Sequence, residues 1–380
     1  MHGAGRCRSC SYFQSALPGR LRGMPFAAQD DLDRARRRPV GDRLLIYLDQ
    51  SSLSGMVRKP DAFRDLQQVL LHGAQTGRLI CARSPAHHDE SVLAQQHTWF
   101  ALNRLARDLS PGVRFLTAGE IENNEIRSAA RELLGKAREE PWQEAFTADP
   151  HTSSEPTTAL SGGTVKVRTV LPPTELERAE VEHQKDKENA LTNAYREASE
   201  QFSFKEICDA YLHALLEWKL GPLASTSKWL AQLDARGREV AEEEARGANP
   251  LQPGSALLRR QAVLQRGEFI KRLVLELPEL RDRDADFFAS RELRTMPSLM
   301  LHAYLRAGLA VTPGRRAWPA DAYDVVHLTH GLSRCDLVTA DRGMFEMVRA
   351  RKLLPTDVRL FESSDVDGLI AAVRESLGSA

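Results

Sequence analysis

DAYDVVHLTHGLSRCDLVTADRGM, residues 321–344, is the stretch that decides the fold. Asp321 opens a helical pattern that carries Val325, Leu328 and Leu332. DLVTAD at 336–341 is a short apolar run between polar neighbours, the mark of a buried strand, and it ends on Asp341. A second helical pattern with Phe345 and Val348 follows, and VRLF at 358–361 reads as a last strand. Just upstream, Pro297 and Ser298 begin a helix through Leu301 and Leu305.

The same grammar appears at the other end of the chain. LLIYLD at 44–49 is an apolar run ending in Asp49, and Pro60 and Asp61 open a helix with Phe63, Leu66, Val69 and Leu70 on one face. RLICAR at 78–83 is a second strand; Ser84–Pro85 cap a helix expected to run through Trp99 and Leu105; GVRFLTA at 112–118 is a third strand. Strands alternating with helices predict an α/β domain with a parallel sheet. Between 119 and 295 strand-like runs give way to Ala/Glu/Leu/Arg helical patterns, near 174–200, 203–220, 224–246 and 255–277, with a polar, loop-like stretch at 147–174. The predicted organisation is a disordered basic tail over 1–42, α/β segments at 43–118 and 296–380, and an all-helical insertion over 119–295.

Composition narrows the class. Of 380 residues, 42% are hydrophobic and 27% charged, which suits a globular chain rather than a disordered one. No apolar run exceeds five residues, as in LLIYL at 44–48, far below the roughly 20 residues that span a bilayer. Formal charge is zero, with 52 Lys and Arg against 52 Asp and Glu, so no bulk field favours a polyanion. The balance conceals asymmetry: residues 1–43 carry nine Arg and four Asp, net +5, and residues 172–250 carry ten basic and sixteen acidic residues, net −6. Five cysteines without framework spacing suit a reducing cytoplasm, and Cys7-x-x-Cys10 is half a zinc site without a second pair.

Chemistry points to the acids. Asp49 and Asp341 each end a strand, Glu90 lies on the second turn of the helix after the second strand, and Asp321 and Asp324 share the first turn of another. In open parallel sheets ligands bind beyond the carboxyl ends of the strands, at a topological switch point, so four separate segments offer carboxylates to one edge. Such a density of like charge demands a counterion, and a hard divalent cation, Mg²⁺ or Mn²⁺, takes oxygen ligands of this kind. Each acid taken alone also fits a turn or helix cap. His87 and His88 beside Glu90, and His327 and His330 beside Asp324, raise a zinc site as an alternative; a histidine that orients an acid is the reading preferred here, with His327 three residues after Asp324.

LIYLDQSS, SPAHHDE and DAYDVVHLTHGLSRCDLVTADRGMFEMVR resemble, in this order, the acidic motifs of PIN-like domains, a metal-dependent nuclease family that includes VapC-type toxins. The resemblance covers roughly 43–118 and 296–365. It implies a three-layer α/β/α fold with a central, mostly parallel sheet, and a Mg²⁺- or Mn²⁺-dependent nuclease that hydrolyses phosphodiester bonds. RNA is favoured over DNA because the family is mostly ribonucleolytic, and the products would carry 5′-phosphate and 3′-hydroxyl ends. On the matching positions Asp49, Glu90, Asp324 and Asp341 form the catalytic, metal-binding quartet, Asp321 an extra acid, and Thr339 the small hydroxyl residue near the metal. Arg342 and Arg83 are candidate phosphate contacts, and a homodimer is expected by analogy.

The insertion over 119–295 departs from the family's common pattern, and could grip substrate or dock a protein regulator. Two alternatives remain: a catalytically quiet binding or scaffold protein on the same fold, and a phosphatase of the haloacid-dehalogenase type. The latter lacks its D-x-D motif, since Gln50 and Ser51 follow Asp49.

Overall fold

The computed structural model describes residues 41–148 apart from Pro111, 203–220, 267–282, 290–312 and 321–378, together with 32–33, 36–39 and single positions elsewhere. Four parallel strands form the sheet: β1 (Leu44–Tyr47), β2 (Leu79–Cys81), β5 (Leu337–Ala340) and β6 (Arg359–Glu362), in the order β2-β1-β5-β6. Each matches an apolar run in the sequence. β1, β2 and β5 are buried on both faces, which is why their runs are continuous rather than alternating.

Alternate residues feed two cores. Leu45, Tyr47, Ile80 and Val338 pack on one face with helices α9 (Pro297–Val311), α10 (Asp321–Arg334) and α11 (Arg342–Ala350). Ile46, Leu79 and Leu337 pack on the other, with α1 (Gln50–Arg58), α2 (Arg64–Gln75), α4 (Gln96–Leu109) and α12 (Val366–Gly378). The result is three layers, helices over both faces of a parallel sheet. A fully buried aliphatic such as Ile46, at 0% exposure, contributes about 1.5–3 kcal/mol.

Several expectations change. The helix expected to run from Ser84 past Trp99 is two helices, α3 (Pro85–Val92) and α4, because the chain breaks between Leu93 and Gln95. β3 (Val113–Phe115) runs beside Arg83 through a single parallel bridge and pairs antiparallel with β4 (Phe146–Ala148). β4 lies inside the stretch read as all-helical, which is therefore not all-helical. Its three residues are too few to leave a period, and pairing with β3 fixes them as strand.

The insertion is also not separate from the α/β body. Within it, α5 (Ala118–Leu133), α6 (Pro141–Ala145) and α7 (Phe204–Leu220) place Ile121, Ala145, Ile207 and Tyr211 in the same core as Tyr47. Ile207 and Tyr211, one turn apart on α7, give that helix an apolar face in this core. A further cluster joins Ile126, Leu216, Ile270, Leu273 and Leu299 across α5, α7, α8 (helical residues 267–276) and α9.

The tail read as disordered is ordered at its end. Leu32 is buried, and Arg36 and Arg38 both pair with Asp336. The Cys7-x-x-Cys10 pair, residues 149–172 of the expected loop, and most of 174–200, 224–246 and 255–266 lie outside the described residues. Among the described residues, no helix is long and apolar enough to cross a membrane.

Candidate functional site

The switch point of the sheet falls between β1 and β5, since β1 leads outward to β2 and β5 leads outward to β6. Asp49 and Asp341 follow the carboxyl ends of these two strands. Each is the N-cap of the next helix: Asp49 Oδ1 accepts from Ser52 N at 3.0 Å, and Asp341 Oδ1 accepts from Met344 N at 2.6 Å. The capping reading therefore holds for both acids, and helix N-termini help to carry their charge.

Asp49 is held on all sides. The Thr339 hydroxyl, 1% exposed, donates to Asp49 Oδ1 at 2.8 Å and accepts from Asp49 N at 2.8 Å; Ser52 Oγ donates to Thr339 at 3.0 Å. Ser363 Oγ donates to Asp49 Oδ2 at 2.8 Å. Thr339 thus bridges the two central strands beside the acid, whereas Ser52 and Ser363 carry no signal of their own in the sequence.

Asp321 and Asp324 stand on the first turn of α10. Burial raises the Asp324 carboxyl well above the usual carboxylate range, and the negative charges of Asp341, Glu90, Asp321 and Asp49 raise it further, in that order. The other four acids singled out from the sequence therefore each lie within electrostatic reach of Asp324.

Glu90, on α3, is reached from α10: its Oε2 lies 2.8 Å from His327 Nε2. His327 Nδ1 lies 2.6 Å from the Tyr47 hydroxyl, which is also 2.7 Å from Ser84 Oγ. His87 stacks on Tyr47 at 5.1 Å and binds Leu48 O through Nε2 and Ser84 N through Nδ1. Burial, with His327 adding to it, drives the His87 imidazole well below its ordinary value, so it stays neutral. With both ring nitrogens committed, His87 is no zinc ligand. His88 lies near Trp99, and His330 stacks on Phe115 at 5.1 Å. Tyr47 is the residue the sequence reading passed over; a phenol inside an aliphatic strand needs a partner, and that was its signal.

The arginine candidates differ in setting. Arg342 is exposed and pairs with Glu346 at 2.9 Å one turn on. Arg83 lies at the end of β2, where its carbonyl accepts from Phe115 N at 2.7 Å.

Four acids around one buried carboxyl that resists ionisation form a donor set suited to a hard divalent cation. Among the described residues, however, no three Asp, Glu, His or Cys side chains are grouped as a ready metal site. Asp49, Asp341 and Glu90 each turn at least one oxygen to a protein donor.

The fold and this cluster define an α/β protein with acidic residues gathered at the switch point of a parallel sheet. No family model, curated protein or solved structure matches the chain. The likeness to PIN-like nucleases rests on the motifs quoted above.

Proposed function

We propose that this chain is a divalent-cation-dependent nuclease, hydrolysing phosphodiester bonds of RNA in preference to DNA. The observation that carries the reading is the crowding at Asp324: burial raises its carboxyl first, and the charges of Asp341, Glu90, Asp321 and Asp49 raise it further. That crowding costs stability in the isolated protein, and a bound cation would turn it into attraction. Asp49, Glu90, Asp324 and Asp341 would hold Mg²⁺ or Mn²⁺, with Asp321 beside them. The ion would supply charge neutralisation for the attacked phosphate and make a water more acidic. Thr339 orients Asp49 through the bonds described above, and Arg83 and Arg342 are candidate contacts to the polymer backbone.

The test is cleavage of a labelled structured RNA and a labelled single-stranded DNA, each with Mn²⁺ and with EDTA. The Asp49→Asn/Asp341→Asn double variant serves as the control. Cleavage of the RNA that needs both the ion and the acids supports the reading; wild-type rates from the variant would sink it. One observation favours a quiet binding protein instead, namely that both oxygens of Asp49 already accept hydrogen bonds. A calorimetric Mn²⁺ titration separates the two, because a scaffold without a site gives no saturable heat.

A further inference from the structure

Among the buried polar groups, one chain leads from the protein interior to the acidic cluster. Tyr47 is 0% exposed, Ser84 1%, His327 2% and His87 4%, so their polar atoms must be satisfied by one another. The pattern assigns the protons. Ser84 N donates to His87 Nδ1 at 3.0 Å, so His87 Nε2 carries its hydrogen and donates to Leu48 O at 2.6 Å. A carboxylate only accepts, so at the other end His327 Nε2 donates to Glu90 Oε2 at 2.8 Å. In a neutral His327, Nδ1 is then an acceptor, and it takes the Tyr47 hydroxyl proton at 2.6 Å. Ser84 Oγ completes the series by donating to the Tyr47 oxygen at 2.7 Å. From Ser84 Oγ through Tyr47 and His327, each hydrogen points toward Glu90.

We infer that Tyr47 and His327 are positioning residues for Glu90: a buried relay from β1 through α10 that fixes the carboxylate of α3 for cation binding. This rests on the nuclease reading above. His327 brings a group of α10 to the charged Glu90 of α3, a short helix whose first turn is anchored by Ser84 and His87. Groups that orient a ligating side chain through hydrogen bonds characteristically change metal affinity by about 10–100-fold when removed.

The experiment measures, for wild type, Tyr47→Phe, His327→Leu and His327→Gln, the Mn²⁺ dissociation constant by calorimetry and Tm in EDTA. The Mn²⁺ dependence of RNA cleavage is followed alongside. His327→Leu should weaken Mn²⁺ binding by about 10-fold or more. His327→Gln, whose amide can still donate to Glu90, should recover part of the loss. Tyr47→Phe removes one hydroxyl without altering shape and should weaken binding in the same direction, with cleavage restored at higher Mn²⁺. Unchanged Mn²⁺ affinity in a folded Tyr47→Phe protein, whatever its Tm, overturns the relay while leaving the nuclease reading intact. Absence of saturable Mn²⁺ binding by the wild type overturns the nuclease reading and the relay with it.

Discussion

At the scale of single residues, Asp324 and His330 make opposite statements about pH. The Asp324 carboxyl is raised, so the folded chain binds that proton more tightly than the unfolded chain does. Its contribution to stability is greatest in acid and is lost as pH climbs through the raised value. Asp324→Asn mimics the protonated form, so in EDTA at pH 8 it should melt above the wild type, and the two should converge near pH 4. A gain of about 1 kcal/mol would appear as roughly 2–4 °C in Tm; an equal or lower Tm at pH 8 refutes the expectation. His330 runs the other way, its imidazole pushed down to about 3 by burial and then by the His327 and Arg334 charges. Unfolded histidine titrates near 6.5, so stability falls as pH drops below that value, by about 2 kcal/mol at pH 5. His330→Phe keeps the stack on Phe115 and should flatten the Tm profile between pH 6.5 and 5, which thermal melts across that range will read.

At the scale of elements, α10 carries the site because it lies unusually close to the sheet. A Cβ on Gly331 would stand 2.8 Å from Val338 Cγ1 and 3.2 Å from Tyr47 Cβ. Valine is stiff about its first torsion, and Tyr47 Cβ is fixed to the strand, so neither yields cheaply. Gly331→Ala gains up to about 1 kcal/mol of helix propensity but forces α10 off β1 and β5, at a typical overpacking cost of about 1–3 kcal/mol. The net expectation is a lower urea midpoint. Gly308 in α9 is the control: there the added Cβ meets only the flexible Met347 Sδ, and Gly308→Ala should cost less. Similar midpoint shifts for both variants would refute the argument. The close approach is also what brings His327 to Tyr47, so the helix–strand distance and the relay are one feature.

For the molecule as a whole, a buried ionic network binds the helical segments to the α/β body. Arg334, 1% exposed, meets Glu125 Oε1 of α5 at 2.5 Å and Glu144 Oε2 of α6 at 3.3 Å. Glu125 in turn accepts from Ser298 N and Oγ at the start of α9, and Arg37 reaches Glu144 at 3.0 Å. Burial raises the Glu125 carboxyl, and Arg334 opposes that rise. Removing one partner of a buried pair leaves an uncompensated charge, so Arg334→Met should cost about 3–5 kcal/mol in urea unfolding. Adding Glu125→Gln and Glu144→Gln to Arg334→Met should restore much of it. A loss below about 1 kcal/mol for the single variant would show that the network does not secure the assembly.

The sequence by itself determined where β1, β2 and β5 lie, because strands buried on both faces must be written as unbroken apolar runs; the edge strand β6 left only the mixed stretch VRLF. It also marked the five acids and several helix caps, because caps and strand-end carboxylates follow from local chain geometry. Only the tertiary structure decided which strands are neighbours. The order β2-β1-β5-β6 sets Thr339 against Asp49 across 290 residues, a pairing no local pattern encodes. It also turned stretches read as disordered tail, helical insertion or loop into structure: Arg36 and Arg38 are spent on Asp336, and Phe146–Ala148 becomes strand because β3 offers an edge. α12 was not read from the sequence, although its Leu369, Ile370 and Val373 complete one face of the core. The relay from Ser84 to Glu90 belongs to the same class, since a buried hydrogen bond is fixed by the partner that folding delivers and not by the residue that waits for it.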